Sequence, residues 1–113
     1  MDNDLEITWQ QLPPDPEHEA LIRSKAAKLE EMYPHILSIR VSLTMLHHQH
    51  DNSDIPEVHI TVMVPDGEVV ASHDSHRADD GHPQDDLATA IQHAFHKTES
   101  QLKQFKQKQR SSP

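Results

Sequence analysis

The amino-acid sequence of 113 residues predicts an α+β fold in which strands and helices follow the order β-α-β-β-β-α. Four segments alternate apolar and polar residues with a period of two, which is typical of strands with one buried face. Two longer segments repeat apolar residues at spacings of three and four, as amphipathic helices do. Asp66 and Gly67 separate two of the alternating segments, and an Asp-Gly pair in that position indicates a hairpin. We therefore expect a four-stranded mixed sheet with two helices packed on one face.

The first strand and the first helix are separated by a proline-rich break. Leu5, Ile7 and Trp9 alternate with polar residues and predict a short strand with one buried face. Asp15 and Pro16 are predicted to be the N-cap and the first residue of a helix, with acidic residues in the first turn. The apolar stripe of this helix consists of Ile22, Ala26, Leu29 and Tyr33. A proline directly after the stripe ends the helix, which should link two parallel strands by a right-handed crossover.

Three strands follow this helix and should form an antiparallel meander. The clearest occupies residues 36–46, and a polar loop over residues 47–57 separates it from the strand that begins at Val58. The fourth strand covers residues 68–73 and precedes a loop, residues 74–85, that is rich in histidine and aspartate. Apolar residues of these strands and of both helices should share one core, made of Leu29, Leu37, Ile39, Val41, Leu43, Val58, Ile60, Val62, Val69, Ile91 and Leu102.

The last helix, residues 86–110, combines an apolar stripe with an increasing positive charge. Its stripe consists of Leu87, Ile91, Ala94, Thr98, Leu102 and Phe105. Residues 97–110 contain five basic residues and one acid, Glu99, so this tail carries a charge of +4 while the rest of the chain carries −13. A sign asymmetry of this size indicates a polyanionic partner for the tail. Basic residues also complement the carbonyl end of a helix, so a merely solvated helix end is the alternative.

Composition limits the remaining possibilities. The length fits one domain over residues 1–113, with a core over about residues 4–106 and a basic helical tail over about residues 97–110. The chain has no cysteine, only two glycines, no Gly-rich phosphate loop and no nucleophile elbow, so we expect neither catalysis nor a cofactor or small-molecule substrate. No apolar run reaches the ~20 residues that span a bilayer and no signal peptide is visible, so a cytoplasmic protein without membrane contact is expected.

Eleven histidines raise the question of metal binding. Two groups contain residue types that suit zinc, nickel or copper, namely His47, His48, His50 and Asp51, and His73, His76 and His82. Their spacing matches no closed structural zinc site, and solvated histidine-rich loops explain them more simply, so no metal site is predicted. His93 and His96 lie three apart on the last helix and are expected at its surface.

Four short motifs occur in order along the chain. Residues 25–30, Lys-Ala-Ala-Lys-Leu-Glu, lie near the end of the first helix and are followed by the aromatic Tyr33. Residues 67–72, Gly-Glu-Val-Val-Ala-Ser, belong to the second hairpin. The last helix carries the other two, which are Asp86-Leu87 with Ala90-Ile91, and Lys97 with Gln101-Leu102 and Lys106-x-Lys108. In this order, and over residues 5–110, the chain resembles the ribosome hibernation-promoting factor and ribosome-associated inhibitor family, also labelled sigma-54 modulation proteins.

The resemblance implies a non-catalytic ribosome-associated factor with a double-stranded-RNA-binding-domain-like fold. Members of the family occupy the mRNA and tRNA channel of the small ribosomal subunit in stationary phase or stress, and they contact ribosomal RNA through basic residues of both helices. A short member, without the second dimerising domain, is expected to be a monomer. The positions that match the basic pattern of the family are Lys25, Lys28, Lys97, Lys106 and Lys108. The charge of the tail adds Lys103 and Arg110 as candidate RNA-binding residues.

The strongly acidic body allows a second interpretation. Glu99 and Ser100 occupy the turn where family members often carry an arginine, and three acids shortly precede the last helix, namely Asp79, Asp80 and Asp85. Because an acidic surface repels RNA, the alternative is a protein-interaction or regulatory module on the same fold, with little or no RNA binding. A metal-dependent sensor built on the histidines is a third hypothesis. Co-sedimentation with ribosomes at low and physiological salt distinguishes the first two.

Overall fold

The computed structural model describes residues 4–47, 54–65, 67–74 and 86–111, and beyond residue 106 it describes only the backbone of the last helix. Its elements follow the predicted order. They are β1 (Asp4–Gln10), α1 (Pro16–Met32), β2 (Ser38–His47), β3 (Asp54–Val64), β4 (Gly67–Asp74) and α2 (Leu87–Ser111). The α+β prediction and its β-α-β-β-β-α order are therefore confirmed.

The four strands form one mixed sheet in the order β1-β2-β3-β4. β1 runs parallel to β2, while β2, β3 and β4 form the predicted antiparallel meander. The register aligns one apolar residue from each strand in a row across the sheet, namely Ile7, Val41, Ile60 and Ala71. α2 packs on β3 and β4, and α1 contacts β1 and α2. The face that carries this row is thus the face that the helices cover.

All the residues predicted for the core are buried except one. The exception is Leu37, whose side chain is 56% exposed because β2 begins only at Ser38. Alternation between two faces holds only within an extended strand, and residues 34–35 form a turn shortly before this one. Ile36 is buried instead, and the Leu37 N–H donates to the Met63 carbonyl at 2.7 Å. The prediction of a buried Leu37 is therefore wrong.

β3 begins earlier than predicted. Residues 47–57, the predicted polar loop, include the last residue of β2 and the first four residues of β3. Pro56 is fully buried and pairs with Met45, one residue beyond the last pair between β3 and β4. Proline has no N–H to donate, so it fits a strand where the ladder on one side has ended. The connection between β2 and β3 is therefore shorter than the predicted loop, and residues 48–53 lie outside the described ranges.

Both helices begin at a capping aspartate. The Asp15 carboxylate accepts a hydrogen bond from the Glu17 N–H at 2.9 Å, and Pro16 is the first helical residue, as predicted. The Asp86 carboxylate accepts a hydrogen bond from the Thr89 N–H at 2.8 Å at the start of α2. These bonds are the main reason that the pKa of each carboxyl group is lowered. Local hydrogen bonds thus define where both helices start.

Candidate nucleic-acid interface

A groove of about 510 Å³ lies between the two helices. α1 contributes Lys25 and Lys28, whose spacing of three places them on the same side of the helix. α2 contributes the exposed His93 and His96, with Glu99 one turn further on. The remaining lining residues are Leu29, Met32, Gln92 and Phe95. The structure therefore brings two of the predicted RNA-binding lysines together, opposite two histidines.

The position of the α1 lysines follows from the apolar stripe of that helix. Lys25 directly precedes the buried Ala26, and Lys28 directly precedes the buried Leu29. Successive residues of an α-helix are about 100° apart, so both lysines lie at the edge of the buried stripe rather than on the far side of the helix. The same packing that buries the stripe thus places these ammonium groups at the boundary with α2.

A second groove, of about 330 Å³, lies between the segment that follows α1, the end of β3 and the last turns of α2. The Lys106 ammonium lies 5.7 Å from the centroid of the Tyr33 ring, within the range of a cation–π interaction. Burial raises the pKa of the Tyr33 phenol, and the negative charge of Glu99 raises it further. Phe105 packs against the start of β4, where a Cβ on Gly67 would meet its ring at 3.5 Å. We name these two grooves together the helix seam.

Lys97 faces β4 instead. Its ammonium group donates a 3.0 Å hydrogen bond to the backbone carbonyl of Ser72 and is partly buried. One turn earlier on α2, the His93 ring makes an edge contact with the buried His73 ring, with centroids 4.9 Å apart and planes inclined at 70°. These contacts join α2 to the edge strand of the sheet. The structure therefore does not bring Lys97 into the helix seam with the other predicted lysines.

The other predicted basic residues lie further along α2. Lys103 is exposed, three residues before Lys106. Lys108 and Arg110 belong to the last turns of α2, which continues to Ser111, and their side chains lie outside the described part of the chain. The backbone thus places all the basic residues of the tail on one helix, as predicted.

Two arginines form surface ion pairs away from the seam. The Arg23 guanidinium lies 3.0 Å from the Glu19 carboxylate on α1, and the Arg40 guanidinium lies 3.2 Å from the Glu6 carboxylate between β2 and β1. Exposed pairs of this kind cancel charge locally and stabilise the fold little. Among the described residues, the positive charge available to a partner therefore comes mainly from lysines.

The described residues contain no group of three or more histidine, aspartate or glutamate side chains that could hold a metal ion. His73 is buried against α2, and His47 is the last residue of β2. The other metal candidates and the acidic residues before α2 lie outside the described ranges, namely His48, His50, Asp51, His76, His82, Asp79, Asp80 and Asp85. No helix in the described ranges is both long and apolar enough to cross a membrane.

The place of His93 and His96 in the groove is a feature that sequence analysis missed. Both were expected at the surface of α2, and both are exposed, but their position opposite the α1 lysines was not predicted. Their spacing of three indicates only that they share one side of the helix. Which element faces that side depends on how the helices pack, and a single sequence does not contain that information.

The fold and the helix seam together define a small α+β protein that presents lysines from two helices. The chain belongs to the sigma 54 modulation protein / S30EA ribosomal protein family, whose model matches residues 5–110. This match confirms the resemblance found in the sequence. Family membership indicates a ribosome-associated factor of the hibernation and modulation type, which is not a known class of enzymes.

Solved structures share this fold. A ribosomal subunit interface protein from Coxiella burnetii has a TM-score of 0.71 at 19% identity, and the match covers 91% of this chain and 97% of that protein. The N-terminal domain of Protein Y from Thermus thermophilus has a TM-score of 0.64 at 17% identity, and the match covers 90% of this chain and 98% of that domain. At these identities the likeness establishes the fold alone. No curated protein matches the chain.

Proposed function

We propose that this protein binds the small ribosomal subunit through its helix seam and blocks the channel used by mRNA and tRNA in stationary phase or stress. The observation that carries the proposal is the placement of Lys25, Lys28 and Lys106 along one seam in a member of a ribosome-associated family. A structural neighbour described as a ribosomal subunit interface protein supports the same partner. In this proposal the protein acts in the cytoplasm, as a monomer, without catalysis and without a cofactor.

The chemical group recognised is the phosphate of the ribosomal RNA backbone. Ammonium groups that neutralise phosphates release counterions, which makes binding strong at low salt and weaker as salt rises. The net charge of −9 opposes the approach to RNA at long range. The Debye length of about 8 Å at physiological salt limits that repulsion to nearby charges. A local group of lysines can therefore bind RNA on a protein that is acidic as a whole.

The proposed contacts extend along both helices. They are Lys25, Lys28, Lys103, Lys106, Lys108 and Arg110. Lys97 belongs to this set only if its ammonium group exchanges the Ser72 carbonyl for a phosphate on binding. The contacts that the geometry supports most directly are those of the seam, because Lys25 and Lys28 line the groove and Lys106 lies over the Tyr33 ring.

Co-sedimentation with purified small ribosomal subunits tests the proposal. The variant Lys25→Gln/Lys28→Gln removes two positive charges from the seam, and Arg23→Gln/Arg40→Gln removes two from other surfaces as a matched control. The seam variant should bind more weakly, and its slope of log affinity against log salt should be shallower by about 1.4, at roughly 0.7 per lost phosphate contact. The control should keep the wild-type slope.

Two results would overturn the proposal. One is the absence of binding by the wild-type protein even at low salt. The other is binding that survives the seam substitutions and changes instead when Asp79, Asp80 and Asp85 are neutralised, which would favour the protein-interaction module.

A further inference from the structure

Two histidines and two lysines face each other across the groove between α1 and α2. Lys25 and Lys28 approach from α1, while His93 and His96 approach from α2, and both histidine side chains are exposed. Each pair is spaced by three residues, so each pair presents its two groups on one side of its helix. Four nitrogen-bearing side chains thus line a cleft of about 510 Å³.

The charge of this groove depends on the state of the two imidazoles. With both histidines neutral, Lys25, Lys28 and Glu99 give the lining residues a net charge of +1, and with both protonated the net charge is +3. Histidine is the side chain whose charge ordinarily changes between pH 5 and 8. Protonation of both imidazoles therefore triples the net charge of the residues that line the groove.

We propose that His93 and His96 are phosphate-contacting residues that make the grip of this groove on RNA stronger as the pH falls. The inference rests on the proposed function, because it needs the RNA backbone as the ligand of the groove. A phosphate beside an imidazole favours its protonated form, and by linkage the protonated form binds the phosphate more tightly. The histidines thus add a pH-dependent contribution to the constant contribution of Lys25 and Lys28.

Charged and titratable groups from three elements surround the two histidines. From α1, the ammonium groups of Lys25 and Lys28 line the groove beside both imidazoles, and from α2 the Glu99 carboxylate lines it. From β4, the buried His73 ring makes an edge contact with the His93 ring, with the two planes inclined at 70°. Lys97, one turn further along α2, has its ammonium group on the Ser72 carbonyl. The groove thus presents basic side chains from both helices to a bound phosphate.

The experiment measures binding to purified small ribosomal subunits between about pH 8 and about pH 6, at several salt concentrations. On acidification the wild-type affinity should rise roughly tenfold at about 0.1 M salt, and the salt slope should steepen by about 1.4, which corresponds to two further phosphate contacts. His93→Gln/His96→Gln should lose most of this rise in affinity between about pH 8 and about pH 6. His59→Gln is the matched control, because His59 is exposed on the sheet, where it pairs with Glu57 at 3.4 Å.

Each outcome decides the inference. Loss of the pH dependence in the double variant, with its retention in His59→Gln, supports it. If the wild-type protein and all the histidine variants bind with the same pH dependence, the inference is wrong and the proposed function is unaffected. Failure of the wild-type protein to bind at either pH overturns both. The single variant His96→Gln does not disturb the contact between His93 and His73, so it should show about half of the effect even if the double variant is unstable.

Discussion

The two sides of α2 carry lysines in different ways. On the side that faces β4, the Lys97 ammonium donates to the Ser72 carbonyl, and it is partly buried. On the side that faces the end of α1, the Lys106 ammonium lies over the ring of Tyr33 and the side chain remains exposed. Charge density along a helix therefore does not assign a role to each lysine. A backbone carbonyl makes a lysine a structural tie, whereas the face of an aromatic ring leaves it accessible to a second partner.

The largest effect is expected from the buried face of α2, on which both sides depend. Ile91 is fully buried between α2 and the sheet, and Ile91→Ala should cost about 2–5 kcal/mol of unfolding free energy. Such a loss is a large share of the stability of a small protein. Urea denaturation gives the difference directly, with Gln101→Ala, an exposed position on the same helix, as the control within about 0.5 kcal/mol. Equal stabilities of the two variants would contradict the helix orientation.

A smaller loss is expected from the tie to β4. Lys97→Met removes the hydrogen bond to Ser72 and should cost about 1–2 kcal/mol, because the carbonyl loses a charged donor. Lys103→Met, which removes the same group from an exposed position, should stay within about 0.5 kcal/mol. Thermal denaturation should therefore give a lower melting temperature for Lys97→Met than for Lys103→Met. If the two variants are equally stable, the contact with Ser72 does not join α2 to the sheet.

Lys106, in the helix seam, should contribute less to stability and more to ribosome binding than Lys97 does. Lys106→Met removes an exposed cation–π contact, which is worth about 0.5–1 kcal/mol, so its stability loss should be smaller than that of Lys97→Met. Its loss of ribosome binding should be larger, and its salt slope should be shallower by about 0.7. Parallel denaturation and binding measurements on the two variants check both orders. If the same variant shows the larger loss in both stability and ribosome binding, the two sides of α2 do not have separate roles.

Much of the fold could be predicted because burial is periodic. The alternation in the strands and the apolar stripes of both helices predicted the order of elements and the covered face of the sheet, and the Asp15-Pro16 pair predicted the cap of α1. The errors lie at the ends of strands, where the local sequence pattern no longer predicts the structure. Leu37 continues the alternation but precedes the strand, and Pro56 resembles a loop residue but lies where the ladder to β4 has ended.

The site was less predictable because its contacts join residues that are distant in the sequence. Lys97 and Ser72 are 25 residues apart, and nothing in the charge pattern distinguishes Lys97 from Lys103. The groove between the α1 lysines and the α2 histidines likewise depends on how the two helices are placed side by side. A single sequence shows which side of a helix a residue occupies, but not which element that side meets.

The smallest effect is a change in the titration of Tyr33, which measures the negative charge inside the seam. Tyr33 is the only tyrosine of the chain, so the absorbance of tyrosinate reports its ionisation without ambiguity. Burial raises the pKa of its phenol first, and Glu99 raises it second. Since the folded protein holds this proton more tightly than the unfolded chain does, stability should fall as the pH rises above the ordinary tyrosine pKa of about 10.

Glu99→Gln should therefore lower the pKa of Tyr33 but leave it above the ordinary value, because the contribution of burial remains. Glu68→Gln, which removes an exposed carboxylate at the start of β4, should leave the titration unchanged. The same substitution of Glu99 removes the one negative charge among the residues that line the groove, so ribosome binding should strengthen at constant pH. If Glu99→Gln leaves both the pKa of Tyr33 and ribosome binding unchanged, the Glu99 carboxylate does not face the seam. The difference between the two sides of α2 would then depend only on the contacts of Lys97 and Lys106.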